Sequence, residues 1–264
     1  MIQLNTTHFP FHVPKAYEKW NDQFSASYDN AVRYQDVLVG RLLEHLKKSK
    51  LLENTAIFFV SDHGESLMEH RNIGHAETNY TETIRIPLFA YIPPKFLSNQ
   101  QKKSLHQNKK LLCSNIDIAP TILELLQLDQ DPSWMNWKKN YTGFSLLATL
   151  PKNRKVISLN NNQITNFNTG LSVATNQWHF LYRMNIVPNR QEFYWWKKDI
   201  GELHNQRSKM SKKQQQEVID LIQNYPVCER FLGIFKKENG WIFLRIERCH
   251  LFQSASKRCQ SIFH

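Results

Sequence analysis

The sequence has no CxxC pair, no long apolar run and no leader of basic then apolar residues. Its four cysteines, Cys113, Cys228, Cys249 and Cys259, stand apart and offer no zinc-ribbon spacing. The last three cluster near the C-terminus, where they could pair in an oxidising compartment. No stretch approaches the roughly 18 apolar residues that a membrane-spanning helix needs. Met1 to His8 lack the basic region and apolar core of a signal peptide. No RNA- or DNA-binding signature is present, so no nucleic-acid partner is expected.

What is present suits a folded enzyme-sized chain. At 264 residues there is enough for one large domain or one and a half. A hydrophobic share of 41% can build a core, and an aromatic share of 12% argues against disorder. The net charge of +11 is uneven: residues 1–150 carry 16 Lys/Arg and 15 Asp/Glu, whereas residues 151–264 carry 18 and 8. The basic half reads first as a solubilising feature, with weak contact to an anionic membrane as the alternative.

The most informative stretch runs from Ala56 to His75. Ala56 to Val60 is continuously apolar, which predicts a strand buried on both faces, of the kind found in parallel α/β sheets. It leads directly into Ser61-Asp62-His63-Gly64, and ligand sites of open α/β sheets lie beyond the carboxyl ends of strands. Asp62 and His63 place a hard oxygen beside an imidazole nitrogen, a pair suited to a divalent metal. Alone, an Asp-His pair after a strand is most often a cap or a solvated loop. Gly64 is expected to let the backbone turn sharply, and Gly74-His75 delivers a second imidazole.

Elsewhere, Ile2 to Thr7 predicts a short strand. Ser25 to Lys48 predicts a helix, with Tyr28, Ala31, Val32, Gln35, Val39, Leu42, Leu43 and Leu46 at 3/4 spacing. Tyr80 to Ile86 reads as a short helix or turn before a second buried strand, Leu88 to Ile92. Lys95 to Lys110 reads as a polar excursion, and residues 129–150 as a loop. Asp117 is placed as a helix N-cap, with Pro120 in the first turn. Four alternating runs, Val156–Leu159, Leu171–Thr175, His179–Met184 and Glu192–Trp196, predict an antiparallel meander. Lys212 to Tyr225 predicts an amphipathic helix with Val218, Leu221 and Ile222 on one side. Residues 226–264 are either a final strand pair or a tail without selected structure.

Several of these segments together resemble one family. Ser61-Asp62-His63-Gly64-Glu65, Gly74-His75, Ile86-Pro87-Leu88-Phe89-Ala90-Tyr91-Ile92-Pro93, Asn115 to Leu126, Gly143-Phe144-Ser145-Leu146 and Asp199-x-x-Glu202-x-x-Asn205 are similar to segments of the sulfatase-like branch of the alkaline phosphatase superfamily. That branch holds sulfatases, phosphoethanolamine transferases and lipoteichoic acid synthase-like enzymes. The resemblance covers roughly residues 1–205. It implies an α/β fold, with a mixed, mainly parallel sheet flanked by helices and a small antiparallel C-terminal subdomain. The implied division is residues 1–150, 151–225 with the closing helix, and a basic tail at 226–264.

By the same resemblance, Asp62 and His63 bind a divalent metal (Ca, Zn or Mn), and His8 and His75 bind the substrate, a sulfate or phosphate ester. His8 takes the place of the His in the family's Thr-x-His-x-Pro-[Tyr/Phe] turn, here Thr6 to Phe11. Asp36 and Asp117 match positions that are structural in the family. The family's nucleophile and first acidic ligand lie earlier than any segment matched here, and no Cys-x-Pro-x-Arg sulfatase signature occurs. No catalytic nucleophile is therefore assigned. The expectations are three: a fragment of a longer gene, a chain completed by the N-terminal half as a second polypeptide, or a non-catalytic remnant acting as a binding module.

Overall fold

The 3/4 spacing between Ser25 and Lys48 forms helix α1, Ala26–Lys48, with His45, Lys47 and Lys48 in its last turn, where cations favour the helix dipole. Buried Asn30 ties the preceding loop to it, accepting from the amides of Lys19 and Trp20 and donating to the Trp20 carbonyl. The structure is a computed structural model, and it describes residues 1–21, 25–75, 78–138, 142–160, 170–183, 190–223, 235–238 and 241–244. It comprises two compact units, Met1–Asn205 and Gln206–His264.

In the first unit, α1 is followed by strand β1, Ile57–Val60, a two-residue ladder of β2, Ser66–Leu67, and β3, Ile73–Gly74, then helix α2, Thr81–Ile84, and strand β4, Leu88–Tyr91. The pairing of β1 departs from expectation. It lies antiparallel to β4, with Ile57 opposite Tyr91 and Val60 opposite Leu88. It is also only half-buried. Val60 is 38% exposed, and on β4 Phe89 is 66% and Tyr91 42% exposed. An apolar run records that both faces of a strand are apolar; it does not record the direction of the neighbour. The predicted Ile2–Thr7 strand is absent. Thr6 and Thr7 turn their hydroxyls to Gln35 Oε1 of α1, and a turn closes from the His8 amide to the Asn5 carbonyl.

Helix α3, Asn99–Asn108, lies where a polar excursion was expected. Its apolar stripe is too thin to read, but a capping box starts it: Ser98 Oγ accepts the Gln101 amide and the Gln101 side chain accepts the Ser98 amide. Helix α4, Ile118–Leu125, follows, and α5, Pro132–Lys138, replaces part of the loop expected at 129–150. Asp117 does begin α4, but its carboxylate does not cap that helix. Fully buried, it accepts the amides of Ser114 and Phe144 and two 2.6 Å bonds from Arg154. Gly143 must be glycine for this packing, since a β-carbon there would lie 2.0 Å from the Ile116 carbonyl oxygen.

The four alternating runs form one antiparallel sheet in sequence order: β5, Val156–Asn160; β6, Gly170–Ala174; β7, His179–Arg183; and β8, Arg190–Tyr194. Leu171, Val173, Phe180, Leu181, Tyr182 and Phe193 are almost completely buried there. The strand buried on both faces is thus β6 and not β1. This sheet belongs to the same compact unit as residues 1–150. In the second unit, helix α6, Lys212–Gln223, matches the predicted helix within the described residues, with Val218 buried. Strands β9, Phe235–Glu238, and β10, Trp241–Leu244, pair antiparallel, so a strand pair is present in the segment left open above. Residues 226–234 and 245–264 lie outside the described residues.

Two outcomes follow for stability and association. Replacing Arg154 or Asp117 alone by alanine leaves its partner's charge buried and unpaired, a loss of about 3–5 kcal/mol. Urea unfolding followed by circular dichroism measures it, and a double variant, Asp117→Leu with Arg154→Met, should recover much of the loss. The exposed apolar residues on β1 and β4 should drive self-association. Sedimentation velocity should show oligomers for the native chain and more monomer for Phe89→Asn.

Candidate metal centre

Asp62 and His63 follow β1 directly, so the strand sets their position. The Ser61 hydroxyl donates to the His63 carbonyl at 2.6 Å, and the His63 amide donates to Asp62 Oδ1 at 3.0 Å. His63 Nδ1 lies 2.8 Å from the Gly64 carbonyl. A carbonyl can only accept, so Nδ1 carries the proton and Nε2 keeps its lone pair for a metal. Asp62 Oδ2 lies 3.7 Å from that Nε2, near the roughly 3.3 Å that separates two ligand atoms on one tetrahedral zinc.

His75, at the end of β3, arrives beside His63. The two rings stack with centroids 3.7 Å apart and planes 22° from parallel. His75 Nδ1 meets Glu65 Oε2 at 3.1 Å. One donor atom each from His63, Glu65 and His75 lies within 4.8 Å of the others. Glu65 is the residue that the sequence did not single out. Its signal was an acid two positions after His63, indistinguishable by itself from a solvated loop residue. The His63 and His75 side chains are each 39% exposed, Glu65 11% and Asp62 87%, so the cluster opens to solvent on the Asp62 side.

Burial alone would raise the Asp62 carboxyl, but the charge of His63, backbone amides and the Ser61 hydroxyl outweigh it and hold Asp62 below the usual carboxylate range. Tyr28 of α1 is pushed up, first by burial and then by the charges of Glu65, Asp29 and Glu69. Tyr28 packs edge-on against Phe11, so the turn carrying His8 and the acidic side of the cluster share one neighbour. His8 is exposed, and its Nδ1 lies 2.7 Å from the Phe9 carbonyl. Of the four residues expected in the site, His63 and His75 touch each other, Asp62 borders His63, and no described contact joins His8 to them.

Gly64 is required for a reason other than the sharp turn expected of it. Its φ is not in the left-handed region, yet a β-carbon there would lie 2.1 Å from the Glu82 carbonyl oxygen of α2. Its amide donates to the Thr83 carbonyl at 2.8 Å. The α2 helix is held in turn by Glu202, whose carboxylate accepts the Thr81 amide.

Helices surround short sheets, and the donor cluster lies at a strand's carboxyl end, in an α/β arrangement. Comparison with known proteins points to sulfatases. The profile described as Sulfatase matches residues 1–128. Arylsulfatase K of Gallus gallus is 27% identical over 217 residues, covering 77% of this chain and 37% of that protein. The Kdo(2)-lipid A phosphoethanolamine 7''-transferase of Salmonella typhimurium is 25% identical over 165 residues, 53% of this chain and 29% of that protein. Among solved structures, a protein in complex with its substrate D-glucosamine-2-N,6-O-disulfate superimposes with a TM-score of 0.56 at 22% identity, covering 79% of this chain and 40% of that one. The chain is thus similar to sulfatases and to a related phosphoethanolamine transferase, with the family profile confined to residues 1–128. It spans less than half the length of each of these relatives. Among the described residues no helix is long and apolar enough to cross a membrane.

The packing of Gly64 on α2 predicts a specific weakness. Gly64→Ala forces β1 and α2 apart, at a cost of about 1–3 kcal/mol by analogy with overpacked cores. Thermal unfolding should show the loss. A variant with unchanged stability would mean that α2 moves freely.

Proposed function

We propose that this chain carries the Asp-His part of a metal-assisted site acting on sulfate or phosphate esters. The observation that supports it most is the convergence of His63, Glu65 and His75, with donor atoms within 4.8 Å of one another, beyond the carboxyl end of β1. Two imidazoles and a carboxylate fit a zinc-like ion, with Asp62 as a further oxygen donor; an ion such as calcium prefers an all-oxygen set. When bound, such an ion polarises an ester oxygen and lowers the pKa of a coordinated hydroxyl.

The chain's own residues do the rest. His63 presents Nε2 because Gly64 holds its other nitrogen. Asp62 stays ionised, aided by its neighbours. His75 is exposed enough to meet a substrate oxygen, and it carries either the third ligand or the oxyanion contact. His8 serves as a second oxyanion contact from the N-terminal turn, where its Nε2 is the ring nitrogen left over from the bond to Phe9. A nucleophile and further ligands complete the reaction, supplied in cis or by a second polypeptide. The relatives' names favour sulfate-ester hydrolysis, with phosphoethanolamine transfer as the related chemistry. A sulfated sugar is the substrate class, on the strength of the neighbour solved with a disulfated glucosamine.

Zinc titrated calorimetrically into the purified chain should bind at one site, in the micromolar range or weaker because few protein ligands are available. His63→Ala and Glu65→Ala should each weaken binding by at least about tenfold. Hydrolysis of aryl sulfates by the chain alone should be near background. Absence of binding, or binding indifferent to His63→Ala, would overturn the reading.

A further inference from the structure

The segment that brings His75 to His63 is itself strained. Between β2 and β3, three non-glycine residues have left-handed backbones: Met68 at φ 91°, His70 at φ 49° and Arg71 at φ 61°. Such conformations each cost on the order of 1–3 kcal/mol and persist only where surrounding structure over-determines them. Within the segment, the Ser66 hydroxyl reaches the carbonyls of Glu69 and Asn72, and the Glu69 carboxylate accepts the Leu67 amide. These contacts are local and cannot place the segment against the rest of the protein.

His70 makes the contacts that do. Its Nδ1 lies 2.8 Å from Glu82 Oε1 of α2, and its Nε2 donates to the Glu202 carbonyl at 3.1 Å. Its ring stacks on Tyr80, 3.7 Å away and 6° from parallel. The His70 and Glu82 side chains are both only 13% exposed. An ionised carboxylate and a carbonyl can only accept, so both ring nitrogens carry protons and His70 is an imidazolium. We propose that His70 is a positioning residue, a cationic clasp that fixes the Ser66–Gly74 segment to α2 and the 199–205 turn, and thereby holds His75 against His63 and Glu65. The proposal rests on the site reading above only for what the held His75 is for.

The groups facing His70 support this from each side. Burial opposes its protonated form, and the Glu202 carbonyl, the Glu82 carboxylate and the Glu202 charge together outweigh burial. The Tyr80 ring lies against His70, and Arg183 is 5.8 Å from the Tyr80 ring centre. Glu69 and Arg71 flank His70 on its own segment. The balance leaves His70 titrating above the ordinary histidine value. A histidine raised on folding stabilises fully below its unfolded value and loses that contribution as pH rises through the folded value. The segment should therefore loosen on the alkaline side.

Hydrogen exchange of the full metal-free chain, corrected for intrinsic rates, tests this at about pH 6 and about pH 9, either side of the histidine range. In the native protein, protection of residues 66–74 should fall several-fold at the higher pH, while that of β6 and β7 is unchanged. In His70→Gln it should be low at both pH values, again with β6 and β7 unchanged. Native-like protection in His70→Gln, or a loss spread equally over β6 and β7, overturns the clasp. Zinc titration runs alongside. If the native chain binds zinc, His70→Gln should weaken it by about tenfold, and an unchanged affinity overturns the positioning role. If the native chain binds no zinc, the site reading fails, and the clasp is judged by exchange alone.

Discussion

The amide of Gly64 donates to the Thr83 carbonyl while the Gly64 α-carbon packs on the Glu82 carbonyl, too close for any side chain. This contact fixes how the chain leaves β1, and so where Asp62 and His63 stand. α2 is only four residues long and could not hold such a position by itself. The Glu202 carboxylate accepts its Thr81 amide, and the same carboxylate is braced by His179 Nδ1 at 2.5 Å and Trp196 Nε1 at 2.6 Å. His179 is a fully buried residue of β7. The half-exposed donor cluster is thus tied, through a short helix and the Glu202 carboxylate, to a well-buried sheet.

Glu202 and Asp117 are both buried acids that collect donors from distant segments, and Glu202 is the one that reaches α2. Asp117 joins Ser114, Phe144 and Arg154; Glu202 joins Thr81, His179 and Trp196. Burial raises the Glu202 carboxyl, but its bonds to His179, Thr81 and Trp196 outweigh this and hold it below the usual range. A carboxyl lowered on folding stabilises above its unfolded value and loses that contribution as pH falls through the folded one. Buried charges of this sort add little net stability over an apolar packing, because desolvation offsets their attraction. Their effect is to exclude other arrangements, since any shift leaves a charge without its donors.

The sequence made some of this plain and hid the rest. Helix α1 and strands β5 to β8 were legible because their apolar residues keep one period over many positions. Asp62, His63 and His75 were legible as residue types in a recognisable pattern. The pairing of β1 was not, because an apolar strand looks alike whichever way its partner runs. Helix α3 has little apolar periodicity, and only its capping box betrayed it. Glu65 and Glu202 owe their roles to partners 10 and 23 positions away, contacts that no local pattern encodes.

Charge constrains what the cluster can do. A divalent ion held by the carboxylates of Asp62 and Glu65 would be close to neutral overall. Such a centre polarises a bound ester at short range but draws an anion weakly from solution. Long-range attraction then has to come from elsewhere, and residues 1–150, with 16 basic and 15 acidic side chains, supply almost none. The excess lies in residues 151–264, part of which belongs to the same compact unit as the cluster. Any long-range attraction of an anion to the proposed site would therefore come from basic residues beyond position 150. For such a site, association rather than chemistry would be the step most sensitive to salt.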